Sequence, residues 1–123
     1  MKIYIAHSTG FDFHKELYIP IRESFLSKDH KFIFPHENGT SLYDSKTLFK
    51  THSADIIIAE VSYPSTGMGI ELGWGDIFEI PIYCISLKNS KASASAASIS
   101  KGIYTYNNSP SLIDVISKIL TVI

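Results

Sequence analysis

Apolar residues fall along this chain in short runs separated by amphipathic stretches. Lys2-Ile3-Tyr4-Ile5-Ala6 is β-branched and aromatic and ends at the small polar turn His7-Ser8-Thr9-Gly10, which predicts a buried first strand and its loop. From Asp12 to about Ser27, Leu17, Ile21 and Phe25 recur at helical spacing, with Pro20 placed to kink or restart the helix. Phe32-Ile33-Phe34 predicts a second strand, and the loop over 36–43 carries the turn signal Asn38-Gly39. A short helix is predicted from Ser45 to His52. The run Asp55 to Val61 then has the continuous apolar centre of a central parallel strand.

Ser62 to Gly67 is turn-forming, and a helix is predicted from Gly67 or Met68 to Phe78. Ile80 to Leu87 reads as a fourth strand, Lys88 to Ser100 as a mobile loop or short helix, and Gly102 to Tyr106 as a fifth strand. Ser109-Pro110 opens the closing helix, with serine as N-cap and proline at the first helical position. Strands and helices alternate without hairpin signals. That predicts one α/β domain over residues 1–123, a flavodoxin- or Rossmann-like three-layer sandwich with a five-stranded parallel sheet. Such sheets bind ligands outside the carboxyl ends of their strands, here the loops beginning at His7, Pro35, Ser62 and Lys88.

Composition narrows the function classes. With 45% hydrophobic and 19% charged residues in 123, the chain can bury one core and leaves little room for a disordered tail. Eleven basic and twelve acidic residues, in no long run of either sign, leave no footprint for a polymeric nucleic acid or an anionic membrane surface. Cys84 is the only cysteine and sits in the apolar run 80–85, so a packed thiol and a reducing compartment are expected. There is no signal-peptide pattern and no apolar stretch of about eighteen residues, which makes the cytoplasm the expected location. His14, His30 and His52 lack metal-ligand spacing, and the first loop lacks G-x-G-x-x-G, so neither a metal nor a cofactor is expected.

The joint between the third strand and its helix carries the chemistry. Ser65, Thr66 and Gly67 lie where a helix begins, so hydroxyls and free N–H groups converge on a seat for phosphate or another anion; the same residues also suit a plain helix cap. Glu71 follows about one turn in, where the positive helix end favours its ionised form, with Gly67, Gly69 and Gly73 around it. Each interior glycine costs a helix about 1 kcal/mol relative to alanine, so a close approach of ligand or backbone is expected there. By themselves these residues also fit a surface glutamate beside tight packing.

The run Asp55 to Gly73 resembles the signature of the nucleoside 2-deoxyribosyltransferase superfamily: a strand ending in Ala-Glu-Val, a Pro-Ser-x-Gly turn and a Gly-x-Glu-Leu-Gly helix start. Tyr4-Ile5-Ala6-His7-Ser8 resembles the family's first strand and loop. Ser65 stands where the branch of 2'-deoxynucleoside 5'-monophosphate N-glycosidases and related CMP hydrolases carries serine, whereas the nucleoside transferases carry aspartate. The resemblance implies a small-molecule nucleoside or nucleotide substrate and cleavage or transfer of its N-glycosidic bond through a covalent intermediate on Glu71. It implies a 5'-phosphate seat at Ser65 and Gly67 beside Gly69, a phosphate or sugar contact at Ser8 next to His7, and Tyr4 lining the pocket. Ser95, with Ser93 as rival, would reach the phosphate across a homodimer with shared active sites.

The chain departs from that pattern at informative places. Thr47 stands where the family has an acid that protonates the leaving base; Asp44, His7 and His36 are the replacements to consider. The first loop has Thr9-Gly10-Phe11 in place of an arginine, and Trp74, after Glu-Leu-Gly, is assigned to packing or an interface. Glu60, Asp55, Tyr104 and Tyr106 are assigned structural roles. Three alternatives stand beside the nucleotide N-glycosidase reading: a deoxyribosyltransferase acting on free nucleosides, a catalytically silent nucleotide-binding module, and a receiver-type domain. The last is disfavoured because its acidic residues are missing after the first and third strands.

Overall fold

The computed structural model describes residues 1–39 and 41–123; Thr40, within the loop expected over 36–43, lies outside the described residues. Five parallel strands, β1 (Lys2–His7), β2 (Lys31–Ile33), β3 (Ile56–Glu60), β4 (Ile82–Leu87) and β5 (Ile103–Tyr106), form one sheet in the order β2-β1-β3-β4-β5. Strand order reverses between β1 and β3, where Ile3 pairs with Ile56 and His7 with Glu60. The crevice at that reversal is where doubly wound sheets bind ligands.

Alternation along the strands sends side chains to two separate cores. Ile3, Ile5, Ile56, Ile58 and Ile85 pack against Leu17, Ile21, Leu112 and Ile116 on one face. On the other, Tyr4, Ala6, Ile57, Ala59 and Cys84 pack against Phe49, Met68, Leu72 and Ala96. The helices divide accordingly. Helices α1 (Ile19–Glu23), α2 (Leu26–Asp29) and α6 (Ser109–Val122) cover the first face; α3 (Ser45–Lys50), α4 (Thr66–Ile77) and α5 (Ala94–Ser98) cover the second.

Two elements differ from the sequence expectation. The helical region after β1 is three pieces: a π-helical turn over His14–Tyr18, then α1, then α2. Pro20 has no amide hydrogen to continue an α ladder, and the chain meets it with a wider turn in which the Ile19 N–H reaches the His14 carbonyl. At the closing helix the N-cap is Asn108, one residue before the expected Ser109. Its carboxamide accepts the Ser111 N–H at 3.0 Å, while Ser111 Oγ accepts the Asn108 N–H at 3.1 Å.

Gly75 is the glycine of α4 packed most closely on the sheet, where a Cβ would press on Cδ1 at the tip of the buried Ile57 side chain. Gly69 and Gly73 have nothing within 4 Å of that position and face open space. The Asn38-Gly39 turn forms with Gly39 at φ +139°. Among the described residues no helix is long and apolar enough to cross a membrane.

Candidate active site

The carboxyl end of β1, the loop after β2 and the starts of α3 and α4 surround a cavity of about 400 Å³, lined among others by Thr9, His36, Tyr43, Ser45, Ser65, Gly67, Glu71 and Trp74. Ser65 begins α4: it is extended at φ −157°, and its hydroxyl accepts the Met68 N–H at 3.2 Å. The cap and the cavity wall are therefore one residue. The N–H groups of Thr66 and Gly67 come before the helical ladder can use them, and Gly67 reaches the cavity.

Glu71 projects from the first turns of α4 into this cavity. Tyr4, fully buried on β1, donates its phenolic hydrogen to Glu71 Oε2. Burial, reinforced by the Glu71 charge and hydrogen bond, pushes the Tyr4 pKa far above that of a free phenol, so Tyr4 stays protonated and keeps donating. Among the described residues nothing donates to Oε1. The site therefore holds an open carboxylate with one oxygen fixed and one available.

His7 also lines the cavity, with both ring nitrogens engaged. Nδ1 donates to the Ser8 carbonyl at 2.7 Å, which leaves Nε2 to accept the Tyr18 hydroxyl at 2.5 Å. Burial pulls the His7 pKa down to about 4, so the ring is neutral at physiological pH. The Tyr18 oxygen in turn accepts the His36 N–H at 3.0 Å, tying the loop after β2 to the π turn and, through His7, to the end of β1. His36 Nδ1 is buried and has no partner among the described residues.

Other candidates sit elsewhere. Ser8 is not part of the cavity wall; its hydroxyl accepts the Gly10 N–H at 2.9 Å and holds the loop. Asp44 is outside as well, and its carboxylate caps α3 by accepting the Thr47 N–H at 3.1 Å. Hydrogen bonding by Thr47 keeps the Asp44 pKa below the usual range, which leaves it ionised and without a proton to give. Thr47 is exposed; the α3 residue that faces the cavity is Ser45, whose buried hydroxyl has no partner among the described residues. Ser95 and Gly69 line a second cavity of about 450 Å³ with Lys91 and Ser93, across the α4 N-terminus from Glu71.

No family model matches the chain, and no curated protein matches it in sequence. Solved structures do match. The CMP N-glycosidase of Clostridium botulinum has a TM-score of 0.65 at 16% identity, over 95% of this chain and 99% of that one. A conserved protein of Enterococcus faecalis V583 gives 0.66 at 18%, over 96% and 98%. The 2-deoxyribosyltransferase of Bacillus psychrosaccharolyticus gives 0.57 at 19%, over 91% and 90%. The chain shares their fold. That agrees with the fold expected from the resemblance over Asp55 to Gly73.

Sequence reasoning missed Thr9, Tyr43, Ser45 and the cavity-facing side of Trp74. Only Trp74 carried a signal: a lone tryptophan one turn after Glu71 on the same helix projects near it. Glu60, assigned a structural role, has no basic partner among the described residues. It is fully buried and accepts the Ser62 N–H at 2.5 Å, the Ser62 hydroxyl at 3.0 Å and the Tyr106 hydroxyl. Burial raises its pKa, and these donors partly offset the rise. Ser62 Oγ also accepts the Leu87 N–H at 2.7 Å, so the group braces the loop that leads to Ser65.

Proposed function

We propose that this protein is an enzyme that cleaves or transfers the N-glycosidic bond of a nucleoside or its 5'-monophosphate, with Glu71 as nucleophile. The observation that carries this reading is the Tyr4-held carboxylate of Glu71 on the wall of a sugar-sized cavity at the strand-order reversal. The shared fold with a CMP N-glycosidase and a 2-deoxyribosyltransferase supports the same bond as the target.

Glu71 Oε1 attacks the anomeric carbon C1'. A C1'–O bond forms as the C1'–N bond breaks, the electron pair goes to the base, and the base takes up a proton. Tyr4 steadies the carboxylate and fixes which oxygen attacks. Water, or the nitrogen of an acceptor base, then attacks C1'; the ester oxygen leaves as the carboxylate and the incoming group loses its proton. Two inversions give net retention.

His36 is the group proposed to donate to the leaving base. Asp44 is committed to its helix cap and both ring nitrogens of His7 are engaged, whereas His36 lines the cavity and its buried Nδ1 has no partner among the described residues. General acid assistance of this kind is worth about 10² to 10⁴ in rate. Ser65 and the free N–H groups of the α4 N-terminus suit a 5'-phosphate.

A homodimer belongs to the same reading. Helix α4 leaves Ile70 50% and Ile77 75% exposed beside the open Gly69 and Gly73, a small-residue apolar face suited to a second copy. Ser95 would then serve the partner's cavity. Light scattering tests this, with a dimeric mass expected.

The test of the function is incubation with a panel of nucleosides and 5'-monophosphates, with and without an acceptor base, and chromatography of the products. Release of free base is expected. Tight nucleotide binding with no base released from any substrate would reject the enzymatic reading and leave a binding module.

A further inference from the structure

Ser45 opens α3, is fully buried and faces the Glu71 cavity, yet among the described residues its hydroxyl has no hydrogen-bond partner. It is not needed as a cap, because Asp44 already accepts the Thr47 N–H. Ser45 Oγ comes close enough to the Tyr4 phenol to favour the ionised form slightly, but the approach falls outside hydrogen-bonding geometry. Tyr4 spends its own hydrogen on Glu71. The wall thus carries the oxygens of Ser45 and Glu71, with the Tyr4 phenol buried behind them, and among the described residues nothing uses the Ser45 donor.

Given the N-glycosidase reading, on which this inference rests, the sugar face opposite these oxygens is fixed by chemistry. In a β-N-glycoside the nucleophile approaches C1' from the side opposite the base. In ribose the 2'-hydroxyl, on the adjacent carbon, points to that same side; in 2'-deoxyribose only hydrogen is there. We propose that Ser45 is a specificity-determining residue that hydrogen-bonds the 2'-hydroxyl, so that the substrate class is a ribonucleoside or its 5'-monophosphate and not the 2'-deoxy counterpart. A buried polar group satisfied only by a substrate hydroxyl discriminates against the analogue lacking it, because the analogue leaves that group unpaired.

The experiment compares base release from the matched pairs AMP and dAMP, GMP and dGMP, CMP and dCMP, and UMP and dUMP. For the best substrate it adds the 3'-deoxy analogue, and it is run on the wild-type protein and on Ser45→Ala. The expected result is a kcat/KM for the ribonucleotide at least about tenfold above its 2'-deoxy partner. The 3'-deoxy analogue keeps most of the ribonucleotide's activity, and Ser45→Ala brings the pair within about threefold by lowering the ribonucleotide value. Equal or better use of the 2'-deoxy partner by the wild-type protein overturns the inference without any variant needing to fold. So does a preference that follows the 3'-hydroxyl, or one that Ser45→Ala leaves intact. In each of these cases base release still stands, and with it the N-glycosidase reading. Absence of base release from every compound overturns both.

Discussion

Tyr4 on β1 and Glu71 on α4, sixty-seven positions apart in the chain, meet in a hydrogen bond that fixes one oxygen of a carboxylate at the mouth of the sheet. The contact depends on two unrelated pieces of local structure. The β1 alternation turns Tyr4 toward the α3 and α4 layer, and Ser65 starts α4 in the phase that brings Glu71 back over β1. Tyr4→Phe keeps the packing and removes only the donor. Its expected effect is a fall in kcat of about tenfold to a hundredfold, with a stability change of about 1 kcal/mol, read by steady-state base release and by thermal melting.

Asp44 and His36 should separate cleanly. Asp44→Ala removes the α3 cap, so a lower Tm is expected with turnover kept within about twofold. His36→Gln should leave Tm near the wild-type value and reduce kcat by about 10² or more, with the smallest loss for substrates whose base leaves easily. Measuring both variants on one substrate decides which residue serves the leaving group.

The buried neutral His7 gives the fold a pH dependence of known sign. Its folded pKa of about 4 lies below the unfolded value, so between the two the unfolded chain binds a proton that the folded chain does not. Stability therefore falls as the pH drops from about 6.5 toward 4, by about 2 kcal/mol at pH 5. Urea unfolding at pH 7 and pH 5 checks this against His7→Gln, in which that share of the slope should vanish.

The glycines of α4 should respond in opposite directions. Gly75→Ala drives a methyl into Ile57 Cδ1 and should cost about 1–3 kcal/mol, much of it recovered in the double variant with Ile57→Val, which lacks that atom. Gly73→Ala meets nothing within 4 Å among the described residues and should stabilise the helix by about 1 kcal/mol. If α4 forms the dimer interface, the same substitution should weaken dimerisation, as read by light scattering against concentration.

The outline of the fold was legible because each strand is a continuous apolar run bounded by polar turns, and because no hairpin signal competed with parallel pairing. Strand end, turn and helix start are contiguous in sequence, so local rules place Glu71, Ser65 and Gly67 near one another, but it was the resemblance over Asp55 to Gly73 that set Glu71 apart from a surface glutamate. The far wall was not legible. Whether Asp44, Ser45 or Thr47 faces the cavity depends on the rotational phase of a six-residue helix, which is set by Phe49 packing under Tyr4 at a ring separation of 5.0 Å. His7 was recognised as a loop residue near the site, but the partners that occupy its nitrogens come from Ser8 and from Tyr18 in the π turn that Pro20 imposes. Both are tertiary facts without a sequence period.

The central claim is that Glu71 does the chemistry, and Glu71→Gln on the best nucleotide of the panel tests it most directly. The substitution preserves size and leaves an amide oxygen for Tyr4. Base release should drop by about 10³ or more while nucleotide binding persists. Wild-type turnover in Glu71→Gln would contradict the account.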